Sequence, residues 1–280
     1  MLSLLIRSIR SLSQGERRFL AGTLFIFILA MTGSRLIAYY ENTTVGPAQG
    51  GEYIEGMTSQ PVAINPVLVA SNPVDRDLVH LLFAPLRTLT ESITPSPDYE
   101  MWSIVLKENL SWSDGEPLGA EDVRFTIKTI LDPDAHSPIA SAWTDVTIEV
   151  ISSREFRLTL NEPYAFFEST LDDLRIIPEH IFGAIPAANF RLSDYNLEPV
   201  GSGPYRFVGY DKRNDGFISR YVMEQNPFYA GEAAFIPSVT IVFFTKEDDL
   251  AEAFNARRIT GFGTENVELI HKHRVVTGEG

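Results

Sequence analysis

The sequence predicts a mixed α/β domain held outside a membrane by one N-terminal transmembrane helix. Three observations carry this. Patterns of strand and helix period interleave from about residue 52 onward. An uncharged apolar run, Phe19 to Gly33, follows the pair Arg17-Arg18. Charge is also unevenly divided. Residues 1–40 hold five of the 23 basic side chains and one of the 37 acidic ones, which leaves 18 and 36 beyond, a net charge of −18 for residues 41–280.

The apolar run has no polar face, so it reads as a membrane segment rather than a buried core helix. With Arg35 reaching back to the interface, residues 19–40 are long enough to span about 30 Å of hydrocarbon. Arg7, Arg10, Arg17 and Arg18 keep residues 1–18 cytoplasmic, and Tyr39-Tyr40 suit the outer interface. No small-x-small cleavage site stands out near Leu36-Ile37-Ala38, so a retained anchor is favoured over a cleaved signal. Residues 41–51 are polar and Gly-rich, a flexible spacer.

Beyond the spacer, composition narrows function. The acidity opposes binding to nucleic acid and to anionic lipid headgroups. Cysteine is absent, which excludes disulfides, thiolate nucleophiles, Cys-based zinc sites and a lipid-modified N-terminal Cys.

Element by element, Val74, Leu78, Leu81 and Leu82 have helical spacing between Asn72-Pro73 and Pro85. Trp102–Leu106 reads as a strand, and the turn Ser113-Asp114-Gly115 follows it. A helix over about 120–131 places Val123, Ile127, Ile130 and Leu131 on one face, with Pro133 beyond it. Val146, Ile148, Val150 and then Phe156, Leu158, Leu160 alternate around Ser152-Ser153-Arg154, a hairpin with one wet face. Phe166, Phe167, Leu171 and Leu174 suggest a helix ended by Pro178. Strands are predicted from Tyr205 and over 217–223, and Val239–Phe244 reads as a central strand buried on both faces. Leu250, Ala253 and Phe254 give a short last helix.

The most specific stretch is Leu106–Ile127, LKENLSWSDGEPLGAEDVRFTI. Trp112 is a large apolar anchor beside a tight turn, and Glu121 and Asp122 complement the dipole of the helix they begin. Trp112 to Thr126 resembles the W-S/H-D-G-x-P-L-T-A-x-D-V-x-F-T/S signature of the extracellular solute-binding proteins of family 5, which serve oligopeptide, dipeptide and nickel ABC importers. Gly119 stands where that family usually has a helix-capping Thr, a change worth a few tenths of a kcal/mol. Ile64-Asn65-Pro66, Gly201-Ser202-Gly203-Pro204-Tyr205 and Asn226-Pro227-Phe228-Tyr229 match further family elements in order. Only Glu91–Glu100 fills a gap that usually holds a longer P-x-L-A-E segment.

The resemblance implies a lobe of the periplasmic-binding-protein type II class, a mixed sheet with flanking helices, with the second lobe largely missing from this chain. Residues 52–68 and 190–265 would form lobe I, 69–189 a subdomain inserted in it, and 266–280 the start of the crossover. The implied function is extracytoplasmic capture of a peptide between two lobes and delivery to a membrane permease and its ATPase. Nickel, heme and sugars are other cargoes of such receptors, and the sequence leaves the choice open. The loop after Asn65-Pro66 faces the cleft in the family, which makes Val69, Ala70, Ser71 and Asn72 binding candidates. Helix capping is the competing reading of Asn72. Tyr205 is a further candidate near the hinge, with a core tyrosine as its competing reading.

Catalytic patterns are weak. Asp172-Asp173 and Asp248-Asp249 are adjacent pairs whose side chains diverge on a helix. Gly201-Ser202-Gly203 is followed by Pro204 and a strand, unlike a phosphate loop or nucleophile elbow. His271-x-His273 lacks a supporting carboxylate pattern. We therefore expect no enzyme activity, no cofactor and no metal site. The alternative to a transport receptor is a surface sensor, a scaffold, or a non-functional fragment that keeps the lobe-I fold.

Overall fold

The computed structural model describes residues 13–42, 49–69 and 72–263. The chain divides into two compact units, Met1–Ala48 and Gln49–Gly280.

Among the described residues the first unit contains the helix α1, Gln14–Asn42. It starts before the expected Phe19 because Ser13 and Glu16 form a reciprocal cap: the Ser13 N–H donates to Glu16 Oε2 at 2.8 Å, and the Glu16 N–H to Ser13 Oγ at 3.4 Å. Gln14–Ala38 is long and apolar enough, by length and composition, to cross a membrane. At 1.5 Å per residue its 25 residues reach about 37 Å, more than the hydrocarbon core requires. Thr23 and Thr32 sit inside this stretch, and each hydroxyl donates back to carbonyls of the preceding turn, Phe19 and Leu20 for one, Ile28 and Leu29 for the other. The polar hydrogens of both side chains are thus satisfied within the helix, as a membrane crossing would require. The side chains of Tyr39 and Tyr40 lie outside the described residues.

In chain order the second unit comprises β1 (Glu52–Thr58), α2 (Pro73–Leu82), α3 (Leu86–Leu89), β2 (Thr90–Pro95), β3 (Met101–Leu106), α4 (Ala120–Leu131), β4 (Val146–Val150), β5 (Glu155–Leu160), α5 (Phe167–Asp173), α6 (Glu179–Phe182), β6 (Tyr205–Lys212), β7 (Ile218–Gln225), β8 (Ser238–Phe244), α7 (Glu247–Asn255) and β9 (Gly261–Phe262). Among the described residues these strands form two sheets. One has the order β6-β7-β8-β1-β9, with β1 parallel to both its neighbours and β7 antiparallel to both of its own. The other, β2-β3-β5-β4, is antiparallel throughout.

Each predicted element is present, and the burial explains why. Val123, Ile127 and Ile130 of α4 are buried on one face, and Phe156, Leu158 and Leu160 are the inward residues of β5. In β8, Val239, Thr240, Ile241 and Phe243 are buried, as a central strand covered on both faces requires. Among the elements not foreseen are the one-turn helices α3 and α6, the two-residue strand β9, and β2. The segment Glu91–Glu100 contains most of β2, an edge strand whose side chains are mostly exposed, so it carries no apolar alternation to announce it.

The Trp112–Thr126 signature forms a joint between structural layers. Trp112 is fully buried. The Ser113 N–H donates to Gly201 O at 2.8 Å, and the Gly201 N–H returns to Ser113 Oγ at 3.1 Å. The Gly203 N–H donates to Leu82 O at 2.8 Å and the Ala84 N–H to Ser202 Oγ at 3.2 Å, so Gly201-Ser202-Gly203 also ties off the end of α2. Asp122 is buried at the start of α4, where its carboxylate accepts the Gly119 N–H and the Glu179 N–H, both at 2.9 Å. The absent cap hydroxyl at position 119 also has a steric reason. A Cβ on Gly119 would lie 2.9 Å from Ser153 O, the carbonyl that accepts the Ala120 N–H.

Candidate functional site

Because β1 runs parallel to β8 and β9, the carboxyl ends of all three strands share one edge of the sheet, with Thr58 registered opposite Phe244. Open α/β sheets present ligands with this edge, where the chain leaves each strand as a loop. The loop that follows β1 begins at residue 59, and a dense set of bonds fixes its residues 59–69 and 72.

Ser59 turns away from the strand with a positive φ of 86°, and its N–H donates to Phe244 O at 3.0 Å. Gln60 then bridges two directions: its Oε1 accepts the Ile218 N–H at 2.7 Å, and its carbonyl accepts Asn72 Nδ2 at 3.2 Å. Asp75, one turn into α2, reaches back so that its carboxylate accepts the Val62 and Ala63 N–H groups at 2.7 and 3.1 Å. Asn65 folds the next turn on itself. Its Oδ1 accepts the Val67 N–H, its carbonyl accepts the Leu68 and Val69 N–H groups, and its Nδ2 donates to Asn196 Oδ1. Asn196 also takes the Ile64 N–H on its carbonyl, and Ser137 Oγ donates to Val67 O at 2.7 Å. The result is a rigid main-chain platform beside the sheet edge.

The predicted candidates fall in different places. Val69 is half-buried and packs against the core. Ala70 and Ser71 lie outside the described residues. Both polar ends of the Asn72 side chain are engaged by the fold, since Oδ1 caps α2 through the Val74 N–H and Nδ2 holds Gln60. Tyr205 begins β6, in register with Gln225 at the end of β7. That places it at the end of the sheet where β8 and β1 start, opposite the loop 59–72. Its hydroxyl donates to Ile236 O at 3.0 Å, and burial pushes its pKa up. The structure therefore groups Val69 and Asn72 and separates Tyr205 from them.

Sequence reading missed the residues that hold the platform: Gln60, Asp75, Ser137 and Asn196. Only Asp75 left a signal, as an acid in the first turn of a helix, and that pattern reads equally as dipole compensation. Among the described residues, no group of three or more His, Asp or Glu is placed to hold a metal ion.

Burial pushes the Asp75 carboxyl above its ordinary value of 3.8, against the two backbone N–H bonds that pull it down. An acid raised on folding holds its proton more tightly in the native chain. Its stabilisation is complete below the unfolded value and is lost as pH rises through the folded one. Asp75→Asn removes that titration, so its cost relative to wild type should shrink from about pH 4 to about pH 7. Urea denaturation at the two pH values measures this, and a cost that grows with pH would refute it.

The comparisons with known proteins agree with this architecture. The family model for bacterial extracellular solute-binding proteins, family 5 Middle, matches residues 85–273. The chain is 27% identical over 199 residues to the oligopeptide-binding protein AppA of Bacillus subtilis, covering 66% of this chain and 36% of that protein. Among solved structures it is similar to CtaP, an ABC transporter substrate-binding protein from Listeria monocytogenes, at 30% identity and a TM-score of 0.66, covering 75% of this chain and 44% of that one. Bacillus subtilis AppA, solved in complex with a nonapeptide, shares the fold at 23% identity and a TM-score of 0.71, covering 81% and 46%. The chain thus spans less than half the length of these relatives.

Proposed function

This chain belongs to the bacterial extracellular solute-binding proteins of family 5, and from that membership we propose that its second unit is one lobe of a two-lobed clamp that captures peptides outside the membrane. In this reading residues 52–68 and 190–265 form the body of the lobe, and 69–189 form a subdomain inserted in it. The observation that carries the proposal is the platform at 59–69, a stretch of backbone pinned at the carboxyl edge of β1. Residues 63–68 are buried and their N–H groups are spent within the fold, so the platform fixes the position of its exposed neighbours, and these would pair with an extended peptide through main chain, which leaves side-chain choice loose. The peptide cargo follows the oligopeptide-binding relative.

A ligand held between two lobes favours the closed state because only closure gives it contacts from both sides. That closed state is the form a permease and its ATPase would receive. The helix α1, with arginines before it, would keep the clamp at the outer face of the membrane.

Titration calorimetry of the purified 280-residue protein with a mixed pool of short peptides tests this reading. One lobe supplies only part of the contacts, so the expected dissociation constant is on the order of 1 mM, about −4 kcal/mol. Asn65→Ala, which frees the platform, should weaken binding further while circular dichroism shows the fold intact. No saturable heat from folded protein would sink the proposal.

A further inference from the structure

A groove of about 390 Å³ opens at one end of the four-stranded sheet, between the turn at 140–142, the end of β5 and the start of α5. Its floor is apolar, made by the buried side chains of Val146, Leu160 and Phe167. Phe167 is braced from beneath by Trp102 and Trp143, each ring centroid 5.8 Å away, so the floor is held in place. The rim is anionic: Asp145 and Glu162 line it, and no Lys, Arg or His does. Tyr164 forms a wall, its ring half exposed and set edge-on to Phe166, which is itself 75% exposed.

The charges on this rim are unmatched. Asn161 Nδ2 donates to Asp145 Oδ1 at 3.1 Å and orients that carboxylate, but among the described residues no cation pairs with Asp145 or Glu162. The arginines of this subdomain that form ion pairs form them elsewhere. Arg87 binds Glu168 and Asp172, Arg157 binds Glu149, and Arg154 binds Glu91 and Glu108.

We propose that this groove is a second binding site, for a small organic cation with an ammonium or guanidinium head on a short apolar stem. The floor accepts the stem, the two carboxylates attract the head, and the Tyr164 ring offers its electron-rich face. An anion would be repelled, and a neutral molecule would gain nothing from the rim. None of these residues belongs to the loop 59–72, so the proposal stands apart from the peptide reading.

Calorimetry of the 280-residue protein with n-butylguanidinium chloride, with n-butanol as the neutral isostere, tests it. The cation should bind saturably, with the alcohol roughly ten-fold weaker, and added salt should weaken the cation alone. The double variant Asp145→Asn/Glu162→Gln changes only surface charge and should lower cation affinity roughly ten-fold. Asn65→Ala should leave it unchanged. Equal binding of cation and alcohol, an unaffected double variant, no saturable binding up to about 50 mM, or loss of binding in Asn65→Ala would each overturn the proposal.

Discussion

Gly201→Ala should be the most damaging small substitution in this fold. A Cβ built on Gly201 would lie 1.9 Å from Leu82 O, far inside any tolerable contact. That oxygen is main chain at the end of α2 and is already committed to the Gly203 N–H. Neither side can yield without moving the helix or breaking the bonds that hold Ser113, Ser202 and Gly203 in place. We expect a loss of about 3 kcal/mol or more. For a domain of this size that lowers the midpoint of thermal unfolding by roughly 6–12 °C. Gly209→Ala is the control, since nothing lies within 4 Å of a Cβ there, and it should cost under about 1 kcal/mol. Circular dichroism melts of the two variants decide the matter. Equal shifts would show that the close approach at Gly201 is not what constrains it.

Asp122→Ala should come next. Its carboxylate joins two segments far apart in sequence, taking the Gly119 N–H at the start of α4 and the Glu179 N–H at the start of α6. Removing it leaves two backbone donors without their acceptor and a gap beneath Trp112 and the turn that follows. Each orphaned donor costs about 1–3 kcal/mol when water cannot reach it, and both sites are partly buried, so a total of about 2–3 kcal/mol is expected. Asp122→Asn keeps one good acceptor and should recover about half of the loss. Hydrogen exchange adds a local readout, because protection at the Glu179 amide should fall further than the global stability change explains. Unchanged protection at Glu179 would show that the bond contributes nothing.

Much of this fold was legible in the sequence, for identifiable reasons. Strands such as β5 and helices such as α4 bury one face, so burial writes a period into their residues. The edge strand β2 buries little and is held by backbone pairing with β3, which any sequence can make. The site was less legible still. Asn65 reaches Asn196 and Gln60 reaches Ile218, across separations of 131 and 158 positions, and no local pattern marks such bonds. The Trp112–Thr126 signature identified the family, yet its residues are occupied in joining Gly201, Glu179 and the core. A motif can be diagnostic because it is structural. Tyr205, a candidate near the hinge with a core tyrosine as its competing reading, is buried and its hydroxyl donates to Ile236 O.

The parallel pairing of β1 sets an order of assembly. Glu52 meets Ser238, and Glu55 meets Gly261, so the first strand to leave the ribosome has no neighbour until nearly all of the described chain has followed it. The antiparallel sheet of 90–160 needs no such wait, because each of its strands finds its partner within the same stretch. Late, long-range closure of this kind is slow. During synthesis the opening strand therefore remains unpaired while the backbone pairing of the four-stranded sheet is already complete.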